Sequence, residues 1–147
     1  MITPSPTSSI NPLLARGVLL AHTAQGPTRA GQITFGVHNS NYELHLLASG
    51  PLPDGNVAAR RLLGTIKAKA RRVDVVTTGG RFIEPVMGRP RRVQGSVIAA
   101  AGDALVVDAG VPIHCELTDA RQRVADFAVG QLVSFDVLDG ATFVPTR

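Results

Sequence analysis

The chain has 147 residues and a formal net charge of +4, and 44% of its residues are hydrophobic. This length and hydrophobic content are enough to bury a core, which excludes disorder throughout the chain. There is no Trp, one Tyr and five Phe, so the core should be aliphatic, and few aromatic faces are left for base stacking.

The single cysteine, Cys115, excludes an intramolecular disulfide framework and a cysteine-rich zinc site, and it favours a reducing compartment. Residues 1–12 are rich in Pro and Ser and have no basic segment before an apolar run. They are predicted to form a disordered N-terminal arm and not a signal peptide. No stretch approaches the roughly 18 apolar residues of a membrane span, so we expect a cytoplasmic protein without membrane association.

Three short strands are predicted before residue 50. The second and third alternate in hydrophobicity on either side of the polar turn Asn39-Ser40-Asn41, which is typical of a β-hairpin. The strands are expected at residues 17–23, 32–38 and 42–47.

A short helix is predicted next, at residues 57–63, with Asn56 and Gly64 as its caps. Strand alternation resumes at Ile66 and loses its parity near Arg71 and Arg72, which predicts a β-bulge there. A tight turn then leads into a strand at residues 81–86.

Beyond a basic, proline-containing junction at residues 88–92, the same order of elements recurs. A helix capped by Thr118 or Asp119 is expected at residues 120–127. The strands of this half are expected at residues 93–100, 104–108, 111–117, 131–137 and 141–145.

The chain therefore divides into two predicted modules, residues 13–87 and 93–147. Residues 17–21 resemble residues 95–99, and the stretch from Val73 to Pro85 resembles the stretch from Phe135 to Pro145. These matches indicate either an internal repeat or a chance likeness between aliphatic strands.

Three strands, a helix and two strands resemble the order of the OB-fold, a five-stranded, partly open barrel. Residues 91–146 resemble small OB modules most closely, through a glycine in their first strand and Asp126-Phe127-Ala128-Val129-Gly130 before their fourth. The resemblance implies a mainly β protein with two tandem OB-like barrels, and it implies binding of oligonucleotides or oligosaccharides. The alternative is one larger barrel or sandwich.

Positive charge is concentrated between Arg60 and Arg92, which hold ten of the fifteen Lys and Arg residues but only two acids, Asp74 and Glu84. Residues 93–147 hold seven acids and three basic residues. The candidate nucleic-acid-binding residues are Arg60, Arg61, Lys67, Lys69, Arg71, Arg72, Arg81, Arg89, Arg91 and Arg92.

Lys67, Lys69 and Arg71 alternate along one predicted strand, so their side chains should recur every ~6.6 Å, close to the spacing of phosphates along a nucleic-acid strand. If this strand pairs with residues 81–86 as a hairpin, the basic groups share one edge. The sequence therefore predicts a non-catalytic protein that binds nucleic acid through phosphates, with weak sequence preference.

Two other functions stay open. The basic and acidic halves could mate within a chain or between chains, which would make a structural or assembly module that binds itself or another protein. A barrel cleft could instead bind a small anionic or saccharide ligand.

Enzymatic and metal sites are not expected. His38 and His45 flank one predicted turn, but they lack a metal-binding spacing, and Cys115 is predicted to be a buried, inert thiol. The carboxylates are scattered, no phosphate-cradling glycine motif occurs, and no cofactor is implied.

Overall fold

The computed structural model describes residues 11–23, 31–49, 60–138 and 140–146. Within these ranges eleven strands form one large mixed sheet, and the only helical element is a 3-10 turn at Val124–Asp126. The prediction of a mainly β fold is confirmed. The strands are β1 (Ala15–Thr23), β2 (Gln32–Val37), β3 (Glu43–Ala48), β4 (Arg60–Val75), β5 (Phe82–Glu84), β6 (Met87–Gly88), β7 (Arg92–Ala101), β8 (Ala104–Asp108), β9 (Pro112–Leu117), β10 (Leu132–Val137) and β11 (Thr142–Pro145).

The strand pairings close into two rings of five strands that share β4. Ring 1 consists of β1, β2, β3 and β4 and is closed by β11, which lies between β3 and β4. Ring 2 consists of β7, β8, β9 and β10 and is closed by the second part of β4, which lies between β9 and β10. In both rings the closing strand is parallel to the third strand and antiparallel to the fourth.

Each ring therefore receives its closing strand from the other part of the chain. The two predicted modules, residues 13–87 and 93–147, exchange one strand each across the predicted junction at 88–92. The short strands complete the sheet, because β5 pairs with β7 and β6 pairs with β3.

Both helix predictions are wrong within the described residues. Arg60 to Leu63 belong to β4 and pair with β1, because ring 1 needs a strand beside β1 to satisfy its backbone groups. The remainder of that predicted helix, residues 57–59, and its cap Asn56 lie outside the described residues, as do residues 1–10 of the predicted N-terminal arm. In the second half only Val124–Asp126 is helical. No helix in the described ranges is long and apolar enough to cross a membrane.

The predicted bulge in β4 is confirmed. Phe135 of β10 lies opposite Val73, whereas Val137, two residues later, lies opposite Ala70, so the register slips by one residue at Arg71 and Arg72. Both arginines are consequently exposed, and the inward parity of β4 is restored at Val73.

The core of ring 1 is organised by two phenyl rings and two glycines. Phe35 and Phe143 are fully buried and their centroids are 5.0 Å apart. A Cβ atom at Gly17 would lie 2.7 Å from the Phe35 ring, and one at Gly64 would lie 2.6 Å from the Phe143 ring. Glycine in β1 and in β4 therefore makes room for the two aromatic side chains, and Phe143 anchors the closing strand.

Matching irregularities relate the first two strands of the rings. Gly17 of β1 and Gly95 of β7 each lie against the backbone of the next strand, where a Cβ would be 2.2 Å from a carbonyl oxygen. In both pairs the register shifts after the same position, between Leu19 and Ala21 and between Val97 and Ala99. The predicted likeness of residues 17–21 and 95–99 thus extends to geometry.

The second predicted likeness, between Val73 to Pro85 and Phe135 to Pro145, does not extend to geometry. Val73 and Phe135 face each other across β4 and β10, so they are partners in one ring and not equivalent positions of two rings.

The Phe143→Ala substitution should open ring 1, because it removes the only fully buried side chain of the closing strand. We expect unfolding stability to fall by about 3–5 kcal/mol. Amide hydrogen exchange should accelerate in β3, although residue 143 is almost a hundred positions away in the chain. Phe127→Ala, at a half-buried position outside both rings, is the matched control. Unchanged exchange of β3 would contradict the assignment of β11 as the closing strand.

Candidate nucleic-acid interface

Three of the predicted basic residues form a regular outward row on β4. Lys67, Lys69 and Arg71 are exposed and alternate with buried residues of the core. The alternation was expected from the sequence and is confirmed. Because β4 is hydrogen-bonded on both edges in this region, to β11 and β10 on one side and to β9 on the other, the backbone that carries the row is held firmly.

The row is not paired with carboxylates in the described part of the chain. None of the ion pairs formed between described residues includes Lys67, Lys69 or Arg71. Glu116 lies beside Lys69 in β9 without forming an ion pair, and Arg71 borders an open groove that Asp74, Asp119 and Asp136 also line. Lys67 lies beside His114 on β9 and Thr142 on β11, neither of which carries a carboxylate.

Three other predicted residues are neutralised locally. The Arg81 guanidinium lies 2.8 Å from Asp108 and that of Arg92 lies 2.8 Å from Asp136. Arg72 approaches Asp74 at 3.3 Å. At least one partner of each pair is largely exposed, so each pair contributes only about 0–1 kcal/mol to stability, but each cancels a charge that a ligand would otherwise meet.

The expected basic hairpin does not form. β5 pairs with β7 and not with β4, because β10 already occupies the β4 edge at Ala70 to Val75. Arg81 therefore lies near Asp108 at the end of β8 and is not carried beside the row by a β4–β5 hairpin. Arg61 is exposed opposite Val18 of β1, and the backbone of Arg60 lies in β4 while its side chain is outside the described part.

Arg91 lies close to the β4 row through the end of β10. The amide of Val137 donates to the carbonyl of Arg91 and the amide of Leu138 donates to the carbonyl of Lys69, each at 2.8 Å. Arg91 and Lys69 are thus separated by one strand, which corresponds to about 10 Å. We call the exposed set Lys67, Lys69, Arg71, Arg89 and Arg91 the basic face.

An open groove adjoins the basic face on ring 1. Its volume is about 490 Å³, and Arg89 and Arg91 form one side of it. The other side consists of outward residues of the hairpin, Gln32, His45 and Leu47. Thr142 pairs with both Lys67 and Leu47, so the groove begins about 10 Å from the β4 row.

Sequence reasoning missed the hairpin side of this groove. The alternation predicted for the hairpin is consistent with Gln32 and His45 facing outward, but nothing in the sequence indicated that Arg91 would lie across from them. It also missed a fourth ion pair, between Arg121 and Asp119 at 3.1 Å. Two hydrogen bonds from Arg121 lower the pKa of Asp119. The bond from the Arg121 side chain has the larger effect, and the bond from its backbone amide has the smaller.

Other chemistry is sparse on the described surface. His45 is paired with Thr34 and not with His38, which lies in the turn after β2. No group of three or more His, Cys, Asp or Glu residues among those described could hold a metal ion. Comparisons with protein-family models, with curated proteins and with solved structures find no match to the chain.

Cys115 is fully buried in the core between Ile113 and Leu117 of β9. Burial, with a smaller contribution from the charge of Glu116, raises the pKa of its thiol to about 12. The thiolate is the reactive form of cysteine, so the predicted inertness is supported.

The folded protein should therefore not react with a thiol reagent such as dithionitrobenzoate at pH 8, and denaturant should release one thiol equivalent per chain. The pKa is higher in the folded state than its ordinary value of 9.0, so the unfolded chain loses the proton first as pH rises. Relative to Cys115→Ala, the wild type should lose stability between about pH 9 and 12. Rapid labelling of the native protein would contradict the buried assignment.

Proposed function

We propose that this protein binds nucleic acid, without catalysis, through phosphate contacts on its basic face. The single observation that carries the proposal is the outward row Lys67, Lys69 and Arg71, which stands on a strand paired on both edges and takes part in no ion pair among the described residues. Because pairing fixes the backbone that carries these cations at ~6.6 Å intervals, binding of a phosphate backbone needs to order only their side chains.

The order of strands adds support from fold resemblance. In both rings the closing strand lies between the third and fourth strands and runs parallel to the third, an arrangement that resembles the OB-fold. OB-folds commonly bind oligonucleotides on the face of their second and third strands. In ring 1 that face is the hairpin of β2 and β3, which lines the groove beside Arg89 and Arg91. Fold resemblance alone does not assign a function, so the charged surface remains the main argument.

The mode of binding we propose is weakly selective. Phe35, Phe135 and Phe143 are buried, and the hydroxyl of Tyr42 accepts a hydrogen bond from the amide of Ile83. Few aromatic faces are left among the described residues to stack on bases, so affinity would come mainly from phosphates and would fall steeply with salt.

Changing Lys67, Lys69 and Arg71 together to Ala should weaken binding of a short single-stranded oligonucleotide at least about tenfold at low salt. The slope of log affinity against log salt should become shallower by about 2, since each lost phosphate contact removes about 0.7. Fluorescence anisotropy titrations at several salt concentrations measure both quantities, and a parallel titration with duplex shows which form is preferred.

The matched control replaces Arg81, Arg92 and Arg121 with Ala. It removes the same formal charge, but from arginines that already have carboxylate partners. Its slope should stay within about 1 of the wild type. If the two triple variants behave alike, net charge and not the β4 row governs binding, and the proposed interface is wrong.

A second candidate function is that of an assembly module, in which basic and acidic segments associate through complementary charges. The observation in its favour is that Arg81 and Arg92 pair with Asp108 and Asp136 of the C-terminal half. If such pairs also form between chains, light scattering should show an assembly that dissociates as salt rises. A monomer at all salt concentrations would remove this candidate.

A further inference from the structure

The groove on ring 1 has a counterpart on ring 2 that is closed. The strand register shows that His114 of ring 2 is equivalent to His45 of ring 1. Each is the second outward residue of the third strand of its ring. His45 pairs with Thr34 of the second strand of ring 1, and His114 pairs with Val106 of the second strand of ring 2. The equivalent glycines Gly17 and Gly95 extend the correspondence to the segments that precede β1 and β7. By this count Leu13 and Arg91, each four residues before its glycine, occupy equivalent places.

On ring 2, His114 contacts Leu13, the counterpart of Arg91. The Nε2 atom of His114 lies 2.8 Å from the carbonyl oxygen of Leu13, at hydrogen-bonding distance. Val106, beside His114 on β8, is fully buried although it points away from the ring interior. The outer face of β8 and β9 is therefore covered at this point, and the imidazole already has a partner.

On ring 1 the corresponding residues, His45 and Arg91, border open space. His45 and Arg91 are both exposed and line the groove of about 490 Å³, together with Arg89 and Gln32. None of the hydrogen bonds formed between described side chains joins His45 to the segment that carries Arg91. A group that fills the groove must accept a hydrogen bond from the imidazole, as the Leu13 carbonyl does for His114, and must also suit a guanidinium.

We propose that the ring 1 groove binds a phosphate group, held by the imidazole of His45 and the guanidinium group of Arg91. A phosphate presents several acceptor oxygens and a negative charge, so it can bridge an imidazole and an arginine, and the Arg–phosphate contact can be bidentate. The amide of Gln32 supplies a further donor at the rim. Ring 2 has no equivalent site, because Leu13 fills it, so each chain binds one such phosphate.

The identity of the phosphate carrier rests on the proposed function. On a nucleic-acid strand that follows the β4 row, one phosphate enters the groove across Thr142, where the row and the hairpin are joined by β11. The groove would then determine the point at which the nucleic-acid strand turns away from the β4 row. Free phosphate and a nucleotide share the same recognition chemistry, and the titrations below separate them.

The direct test is an NMR titration that follows the imidazole resonances of the full-length protein at constant ionic strength. Three probes are used: inorganic phosphate, a 5′-phosphorylated dinucleotide and a nucleoside, which carries no phosphate. The resonances of His45 should shift in a saturable manner with the first two, and those of His114, already bonded to Leu13, should not. Equal shifts of both histidines, or no saturable shift of His45, would overturn the proposal.

The variants His45→Ala and Arg91→Ala should each weaken binding of the phosphorylated dinucleotide about tenfold, which corresponds to the loss of one charge-assisted hydrogen bond. The controls are His38→Ala, an exposed histidine in the turn beyond β2, and Arg81→Ala, whose side chain pairs with Asp108. Both controls should bind like the wild type. Because all four side chains are exposed or outside the core, a folding defect is not expected, and circular dichroism verifies this.

Failure of the groove can be told from failure of the proposed function. If His45→Ala leaves both phosphate and oligonucleotide affinity unchanged while the β4 triple variant loses oligonucleotide affinity, the groove proposal is wrong and the β4 interface stands. If inorganic phosphate shifts His45 but no oligonucleotide binds, the groove is a phosphate site and the nucleic-acid function is wrong.

Discussion

The rest of the structure depends on β4, whose backbone must be satisfied in two rings at once. One edge of this strand pairs first with β1 and then with β9, and the other pairs first with β11 and then with β10. Buried backbone groups that lack partners are costly, so neither ring can close unless the other part of the chain supplies a strand. The cations of β4 consequently stand on the backbone that is most constrained by pairing.

This constraint also divides the basic stretch into two kinds of residue. On β4, the row Lys67, Lys69 and Arg71 takes part in no ion pair among the described residues, whereas Arg72, at the bulge, is paired with Asp74 of the same strand. Arg81 and Arg92 lie instead beside strands of ring 2, where Asp108 and Asp136 neutralise them. The positive charge of these 33 residues is thus reduced by ion pairs to the smaller basic face. The position of that face in the fold depends on which strands lie beside each basic residue.

The likeness of the two rings makes their differences informative. Equivalent glycines and equivalent bulges show that both rings begin in the same way. At the equivalent outer position, however, ring 2 has a leucine carbonyl bonded to a histidine, whereas ring 1 has an arginine across an open groove from a histidine. The course of the segment before the first strand therefore decides whether the outer face of the facing hairpin is covered or borders open space.

The sequence by itself determined most of the strands, the hairpin of β2 and β3, the bulge at Arg71 and Arg72, the burial of Cys115 and the outward row on β4, because each depends on the alternation of neighbouring side chains. It could not determine that Arg60 to Leu63 form a strand, since helical spacing and capping residues favour a helix locally and only pairing with β1 overrides them. Nor could it reveal that β11 closes ring 1, that β5 avoids β4, or that His45 faces Arg91. These are contacts between residues distant in the chain, and only the tertiary structure, by satisfying the edges of every strand, decides them.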